Sequence, residues 1–365
     1  MELMQANRQW LTRPDDEKFT SLTALHAFCE SQRAASVGKV VSSRALTVHP
    51  VDGATDALMV TGPNGAPVSV TNWSFGQLAA RAGAPAGYLR DIPAPLAADC
   101  LNYGLHHSRE VEEIGVLLTR QDSAPAVARA FTGPNYGRIW NSTLTGQLVR
   151  MFGNGLNRNG FRVPSEFGNL DAPITKQNTT LYASDRDMWV FLADETNRIE
   201  LPNRRAGKNG SFARGVFFWN SETGSTTWGM AGFLFDFMCG NHIIWDAVGY
   251  KELRIRHTAG APDRYLEQAA PALELMSKSS AIGITDALLA AQRKKLDDVD
   301  AFLVSRFTRS EAAAIKAAHI EDEQRPIETL WDVATGATAY ARDIAHVDQR
   351  VRIEREAGRV LNLAA

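Results

Sequence analysis

The sequence predicts an α+β fold, with a central antiparallel β-rich region flanked by helical N- and C-terminal segments. Three observations carry this. Ala- and Leu-rich stretches punctuated by proline fill residues 74–109. Between 110 and 260 the chain turns to β-branched and aromatic runs separated by Gly and Asn. After about 261 the apolar spacing is helical again. The chain divides accordingly into a mixed segment 1–110, a β-rich core 111–260 and a helical segment 261–365.

In chain order, Asp15-Asp16-Glu17 ahead of Leu22, Leu25, His26 and Phe28 predicts a helix start with an apolar stripe. Residues 45–60 alternate around Asp52-Gly53, and Gly62-Pro63-Asn64-Gly65 is a strong turn, so a small antiparallel unit is expected there. Residues 74–109, with Pro93 and Pro95, read as a group of short helices. Strands are predicted at Gly115–Arg120, Thr179–Tyr182, Met188–Leu192, Val216–Trp219, Thr226–Met230 and Leu253–Arg256. One helix is expected over Asp286–Phe302. Another starts at Ser310, whose hydroxyl can cap Glu311–Ile315, and a long last helix covers Ala341–Leu361.

The 365 residues are 44% hydrophobic and 22% charged, which excludes a disordered or fibrous chain. No run approaches the roughly 18 apolar residues of a membrane helix, and the N-terminus lacks a signal-peptide core. Cys29, Cys100 and Cys239 are far apart, and no Cys-x-x-Cys occurs. A soluble cytoplasmic protein without disulfides or membrane contact is expected. Neither a Gly-x-x-x-x-Gly-Lys loop nor a dinucleotide fingerprint is present, so no cofactor is expected.

A net charge of −2 excludes a uniformly basic nucleic-acid coat, but the charge is unevenly spread. Residues 1–120 carry −2, 121–260 carry +3 and 261–365 carry −3, and 198–218 alone carry +4. That stretch holds Arg204, Arg205, Lys208 and Arg214 on a Gly- and Asn-rich loop leading into Val216-Phe217-Phe218-Trp219, with a return strand through Trp228. Cations neutralise phosphates and aromatic faces stack on unpaired bases, so a basic loop on an aromatic hairpin suits a single-strand clamp. The competing reading makes Phe217, Trp219 and Trp228 core and the loop merely solvated. Alternation puts Phe217 and Trp219 on one face and Phe218 on the other. Arg254 and Arg256 share a strand face opposite Leu253 and Ile255, able either to span two phosphates or to pair with acids across the sheet.

Other constellations carry less. Residues 77–89 have helix-turn-helix spacing around Gly83, but Pro85–Asp91 offers few groups for base edges, which favours a packed helical hairpin. Cys239-Gly240-Asn241-His242 sets a thiol near an imidazole after a strongly apolar run, as a buried structural cysteine would be. Asp185, Asp187 and Asp194 flank a strand as in metal-dependent nucleases, or as ordinary caps and ion-pair partners. The rings of His106-His107 point apart, against a ligand role.

Several separated motifs together resemble one family, the phage/plasmid-like proteins called domain of unknown function 932. They are Arg13–Phe19, Phe75-Gly76-Gln77-Leu78, Gly87-Tyr88-Leu89-Arg90, Leu181–Met188, Trp219–Gly224, Cys239–His242, Thr329–Val333 and Ala337–Tyr340. The resemblance implies a setting in mobile-element DNA metabolism and brings no catalytic residues. The function expected from the residues is non-enzymatic binding of single-stranded DNA, in the manner of a strand-annealing recombination factor. In that role Arg204, Arg205, Lys208 and Arg214 contact phosphates, Phe212 or Phe218 stacks on bases, and Arg254 and Arg256 line the floor. The helical C-terminus then mediates homo-oligomer formation. The alternatives are a metal-dependent nuclease using Asp185, Asp187 and Asp194, and an interaction protein that modulates a host or phage factor without touching DNA.

Overall fold

The structure is a computed structural model that describes residues 13–54, 57–63, 65–107, 112–120, 125–157, 160–164, 169–202, 204, 207–236, 252–278, 282–344 and 347–364. Two six-stranded sheets form the framework, with helices at both ends of the chain, so the architecture is α+β. One sheet contains β2 (Ser36–Ser42), β3 (Thr47–Pro50), β4 (Leu58–Thr61), β5 (Pro67–Val70), β6 (Glu113–Thr119) and β7 (Val127–Thr132), in spatial order β2-β6-β7-β5-β4-β3. Its neighbours are antiparallel except the β5–β7 pair, which is parallel. The other joins β1 (Lys18–Phe19), β8 (Leu181–Ala183), β9 (Met188–Leu201), β10 (Gly210–Asn220), β11 (Trp228–Asp236) and β12 (Leu253–Ile255) in that order, antiparallel throughout. The sheets cut across the segments drawn from sequence, since β6 and β7 join N-terminal strands and β1 joins the larger sheet.

The large sheet follows from the period of its strands. Val190, Leu192, Val216, Phe218, Met230 and Leu234 alternate onto one face. They share a core with Leu22 and Leu25 of α1 (Leu22–Ala35), Leu144 and Leu148 of the 141–152 helix, and the C-terminal helices. The opposite face carries Trp189, Phe191, Phe217, Trp219 and Phe233, with Phe217 stacked 4.1 Å from Phe191 and 5.3 Å from Trp189. Room for these rings comes from glycine. A Cβ on Gly229 would lie 2.0 Å from the Trp219 indole, and one on Gly215 2.1 Å from the Phe233 ring. The smaller sheet packs Val48, Val60, Ile114 and Phe131 against Leu78, Leu101 and Leu105 of the helical group, α2 (Asn72–Arg81), α3 (Ala86–Asp91) and α4 (Ala94–His107).

Local signals decide where the helices begin and end. Asp15–Glu17 forms a 3-10 turn followed by β1, and Ser21 caps α1, its hydroxyl accepting from Ala24 N. Between α2 and α3, Gly83 takes φ +66°, and the six-residue α3 completes a helical hairpin. Asn141–Phe152 forms α5 inside the stretch expected to be β-rich. Ala261–Arg264 (α6) continues through a π turn, Tyr265–Ala269, into α7 (Ala270–Lys278).

The single helix expected over 286–302 is two, α8 (Ile282–Arg293) and α9 (Val299–Arg306), because Asp298 caps the second through Ala301 N. Thr308, not Ser310, caps α10 (Arg309–Glu323), in a capping box with Glu311. The last helix, expected over Ala341–Leu361, is α12 (Val347–Leu361), and Ala341 and Arg342 instead end the preceding helix, α11 (Leu330–Arg342). Among the described residues no helix is long and apolar enough to cross a membrane.

Candidate functional site

The residues expected to form a basic clamp do not share a surface. Arg204 is fully buried, pairs with Glu323 of α10, and lies 5.1 Å from the Phe212 ring and 5.2 Å from Trp331. Arg214, 6% exposed, pairs with Asp194 at 2.8 Å and sits over Phe161. Phe212 and Phe218 are core residues at 1% and 0% exposure. These four are therefore corrected: their charges are already neutralised by carboxylates, and their rings face protein rather than solvent. Arg205 lies outside the described residues. Lys208, Arg254 and Arg256 are exposed. Arg254 leans over Trp219 (5.6 Å) and pairs with Glu252, two residues before it, rather than with an acid across the sheet.

The carboxylate trio is also separated. Asp194 is buried against Arg214 and Asn197, seven residues and roughly 23 Å of extended strand from Asp187. Asp187 has one oxygen on Arg13 (2.7 Å) and the other on Arg186 (3.2 Å), so each oxygen already faces a protein cation. His106 hydrogen-bonds the Leu46 carbonyl while His107 stacks on Tyr103, so the two do not converge. Cys239 and His242 lie outside the described residues.

What the fold does bring together is a cleft between the two sheets. It is built on the β10–β11 turn, Asn220–Ser225. The Glu222 carboxylate accepts from Asn141 N (2.8 Å) at the start of α5 and pairs with the buried Arg129 of β7 (3.2 Å). Arg129 in turn donates to the Asp185 carbonyl through Nε and Nη2. Ser221 and Thr223 hydroxyls donate to the Arg186 carbonyl at 2.7 and 2.8 Å. The Thr223 carbonyl accepts from Trp73 Nε1 (3.2 Å) and Gln77 Nε2 (2.7 Å), while Gln77 Oε1 accepts from Phe131 N. Both ends of the Gln77 amide are thus fixed, which locks α2 onto both sheets.

The resulting cleft has a volume of about 890 Å³. Arg13 and Glu17 lie at one wall, Trp73 and Arg90 at the α2–α3 wall, and Asp185, Arg186 and Trp189 opposite. The Ser184 hydroxyl accepts from Arg186 N and Asp187 N, which holds the 184–187 loop in place. Arg90 donates to the side chain and carbonyl of Asn72 and lies 5.0 Å from the Phe75 ring. The Arg186 side chain, 45% exposed, lies 5.8 Å from the centroid of the Trp73 ring. Burial raises the Glu17 pKa above the ordinary carboxylate value, reinforced by Asp185, Asp187 and Asp16 and opposed by Arg13.

Chemically the cleft offers flat indole surface, two exposed guanidinium groups, Arg90 and Arg186, and two carboxylates, Asp185 and Glu17, the latter with one oxygen paired to Arg13 at 3.2 Å. That set fits a planar ligand bearing N–H groups at its edge. Sequence reasoning missed Arg13, Glu17, Trp73, Arg90, Arg186 and Trp189 as site residues. Arg13, Glu17, Gly76, Gln77, Arg90 and residues 184–187 come from separate stretches of the sequence, and the structure gathers them around one opening.

Comparisons with protein-family models, curated proteins and solved structures find no match to this chain.

Proposed function

We propose that this protein binds single-stranded DNA and takes an unpaired base into the cleft walled by Trp73 and Trp189, rather than laying the strand along the basic hairpin. The observation that carries the reading is the exposed Arg186 guanidinium 5.8 Å from the Trp73 ring inside a cleft of this size. The Arg186 guanidinium lies over the Trp73 ring, and a base of any sequence can stack on the outer face of that planar cation, an arrangement in which stacking is worth about 1–3 kcal/mol. Glu17 and Asp185 supply acceptors for amino groups on a base edge. The charges lining the cleft balance, Arg13, Arg90 and Arg186 against Glu17, Asp185 and Asp187. Stacking therefore contributes more than phosphate neutralisation, and the salt dependence is correspondingly shallow. The nuclease reading is weaker, since the expected carboxylates are divided between two places and Asp187 is doubly paired. The resemblance to the phage/plasmid-like family points to the same DNA setting, with strand annealing as the activity to assay.

Fluorescence anisotropy with a labelled oligodeoxythymidine at about 50 mM salt tests the reading. Trp73→Ala and Arg186→Ala are each expected to weaken binding by about 1–3 kcal/mol with the fold intact by circular dichroism. Absence of binding by the unmodified protein sinks the proposal and favours the interaction-protein alternative. Loss of binding in Lys208→Ala and Arg256→Ala, with Trp73→Ala unaffected, returns the strand to the hairpin side.

A further inference from the structure

The side chains around the cleft differ in how much hydrogen-bonding capacity they have left. Asp187 has a cation on each oxygen, and Glu17 has one oxygen on Arg13. Asp185 is different. It lines the cleft half-buried, and its backbone carbonyl accepts from the buried Arg129. Among the described residues its carboxylate has neither an ion pair nor a hydrogen bond. Its charge reaches the neighbouring Glu17, whose pKa it helps to raise. The cleft therefore holds one carboxylate with both oxygens uncommitted.

The α2–α3 wall offers donors instead. Arg90 is fixed there, its Nε on Asn72 Oδ1 and its Nη2 on the Asn72 carbonyl, both at 2.9 Å. Its guanidinium lies 5.0 Å from the Phe75 ring and has no carboxylate partner among the described residues. Those bonds leave Arg90 Nη1 and Asn72 Nδ2 unengaged among the described residues, on two exposed side chains that line the cleft. With Oδ1 already accepting from Arg90, what the Asn72 amide has left is mainly its N–H groups. One wall thus presents donors, the 184–187 loop presents an acceptor-only carboxylate, and Arg186 over Trp73 supplies the flat surface.

We propose that the cleft selects guanine, with Asp185 as the specificity-determining residue. The inference rests on the cleft being a base site. Guanine carries its ring N1–H and its 2-amino group side by side, and the two oxygens of one carboxylate accept from both together. Its O6 and N7 are adjacent acceptors, suited to guanidinium or amide donors. Thymine places its N–H between two carbonyls, which turns acceptors toward a carboxylate. Adenine and cytosine set one amino group beside a ring acceptor, so each gives Asp185 a single bond. A guanine in a strand and a free guanosine nucleotide show the same edge, and the chemistry of recognition is common to both.

Anisotropy with short labelled oligodeoxythymidines carrying one central dG, deoxyinosine, dA or dC, at about 50 mM salt, reads the preference. The dG probe is expected to bind roughly tenfold tighter than the all-dT probe. Deoxyinosine, which lacks the 2-amino group, should fall between them. Asp185→Asn and Asp185→Ala alter a side chain with no partner among the described residues, so both should keep the fold, checked by circular dichroism. In each the advantage of dG over dT should disappear. Calorimetric titration with guanosine and adenosine monophosphates separates the two sources. A guanosine preference without oligonucleotide binding keeps the guanine assignment and overturns the strand reading alone. If every oligonucleotide binds the unmodified protein alike, or if the dG preference survives both Asp185 variants, this proposal is wrong and the cleft reading stands. If neither oligonucleotides nor nucleotides bind, both are wrong.

Discussion

Arg204 and Glu323 form a fully buried ion pair that ties the loop before β10 to the last turn of α10, 119 residues further along the chain. Phe212 and Trp331 lie near the guanidinium, so the pair is enclosed by aromatic rings as well as by backbone. Removal of either partner leaves a charge inside the protein without compensation. Arg204→Ala and Glu323→Ala are each expected to destabilise the fold by about 3–5 kcal/mol, measured by urea denaturation. An apolar replacement of both residues together should cost much less. Equal losses for the single and double variants would contradict this.

Gln77 donates to Thr223 and accepts from Phe131, so its two polar atoms cannot be exchanged. Gln77→Glu keeps the acceptor and turns the donor into a second acceptor facing a carbonyl. A loss of about 1–3 kcal/mol is expected in thermal or chemical unfolding, with a concurrent loss of cleft ligand binding.

His257 hydrogen-bonds the Gly137 carbonyl through Nδ1, stacks on Tyr136, and has its Nε2 buried without a partner, a geometry that suits the neutral ring. Burial, with Arg138 adding to it, lowers its pKa from 6.5 to about 4. The unfolded chain therefore binds a proton between these values that the folded chain does not. His257 leaves stability undiminished above pH 6.5, and stability falls as pH drops toward 4, by on the order of 3 kcal/mol. His319, buried and also lowered, acts in the same direction. His257→Gln should flatten the denaturation midpoint against pH across this window, and an unchanged profile would rule the residue out.

Gly229 lies beneath the Trp219 indole in β11. Gly229→Ala is expected to cost about 1–3 kcal/mol through overpacking. The cost should shrink in a Trp219→Ala background, where the ring that meets the new methyl is gone. A double-mutant cycle on urea midpoints reads that coupling directly.

Much of the architecture was legible because it rests on local period. The alternation of Val216, Phe217, Phe218 and Trp219 sorts them onto faces without knowledge of the neighbours, and those faces are as observed. Helix α5 was not legible: Asn141–Phe152 combines β-branched Thr and Val with Gly, poor helix formers held here by packing against α1 and by Glu222. Side-chain fates were the least visible part. A cluster of arginines reads as a solvent-facing patch only until its carboxylates are found, and Arg204 and Arg214 find theirs 119 and 20 residues away. The cleft gathers residues 13–17, 72–90 and 184–189, and no single stretch of sequence contains enough of it to betray the opening.

A hairpin tip is ordinarily where a chain tolerates added length. In this chain Asn220, Ser221, Glu222 and Thr223 at the β10–β11 tip are at most 1% exposed, and partners approach them from α2 and from the 133–140 loop. The usual map of permissive sites is thus inverted. A tag, a fusion or even one extra residue at this tip should abolish folding, whereas the same insertion at the Asp52-Gly53 turn should be accepted, and a linker-scanning library scored for folded protein would show the two sites as opposites.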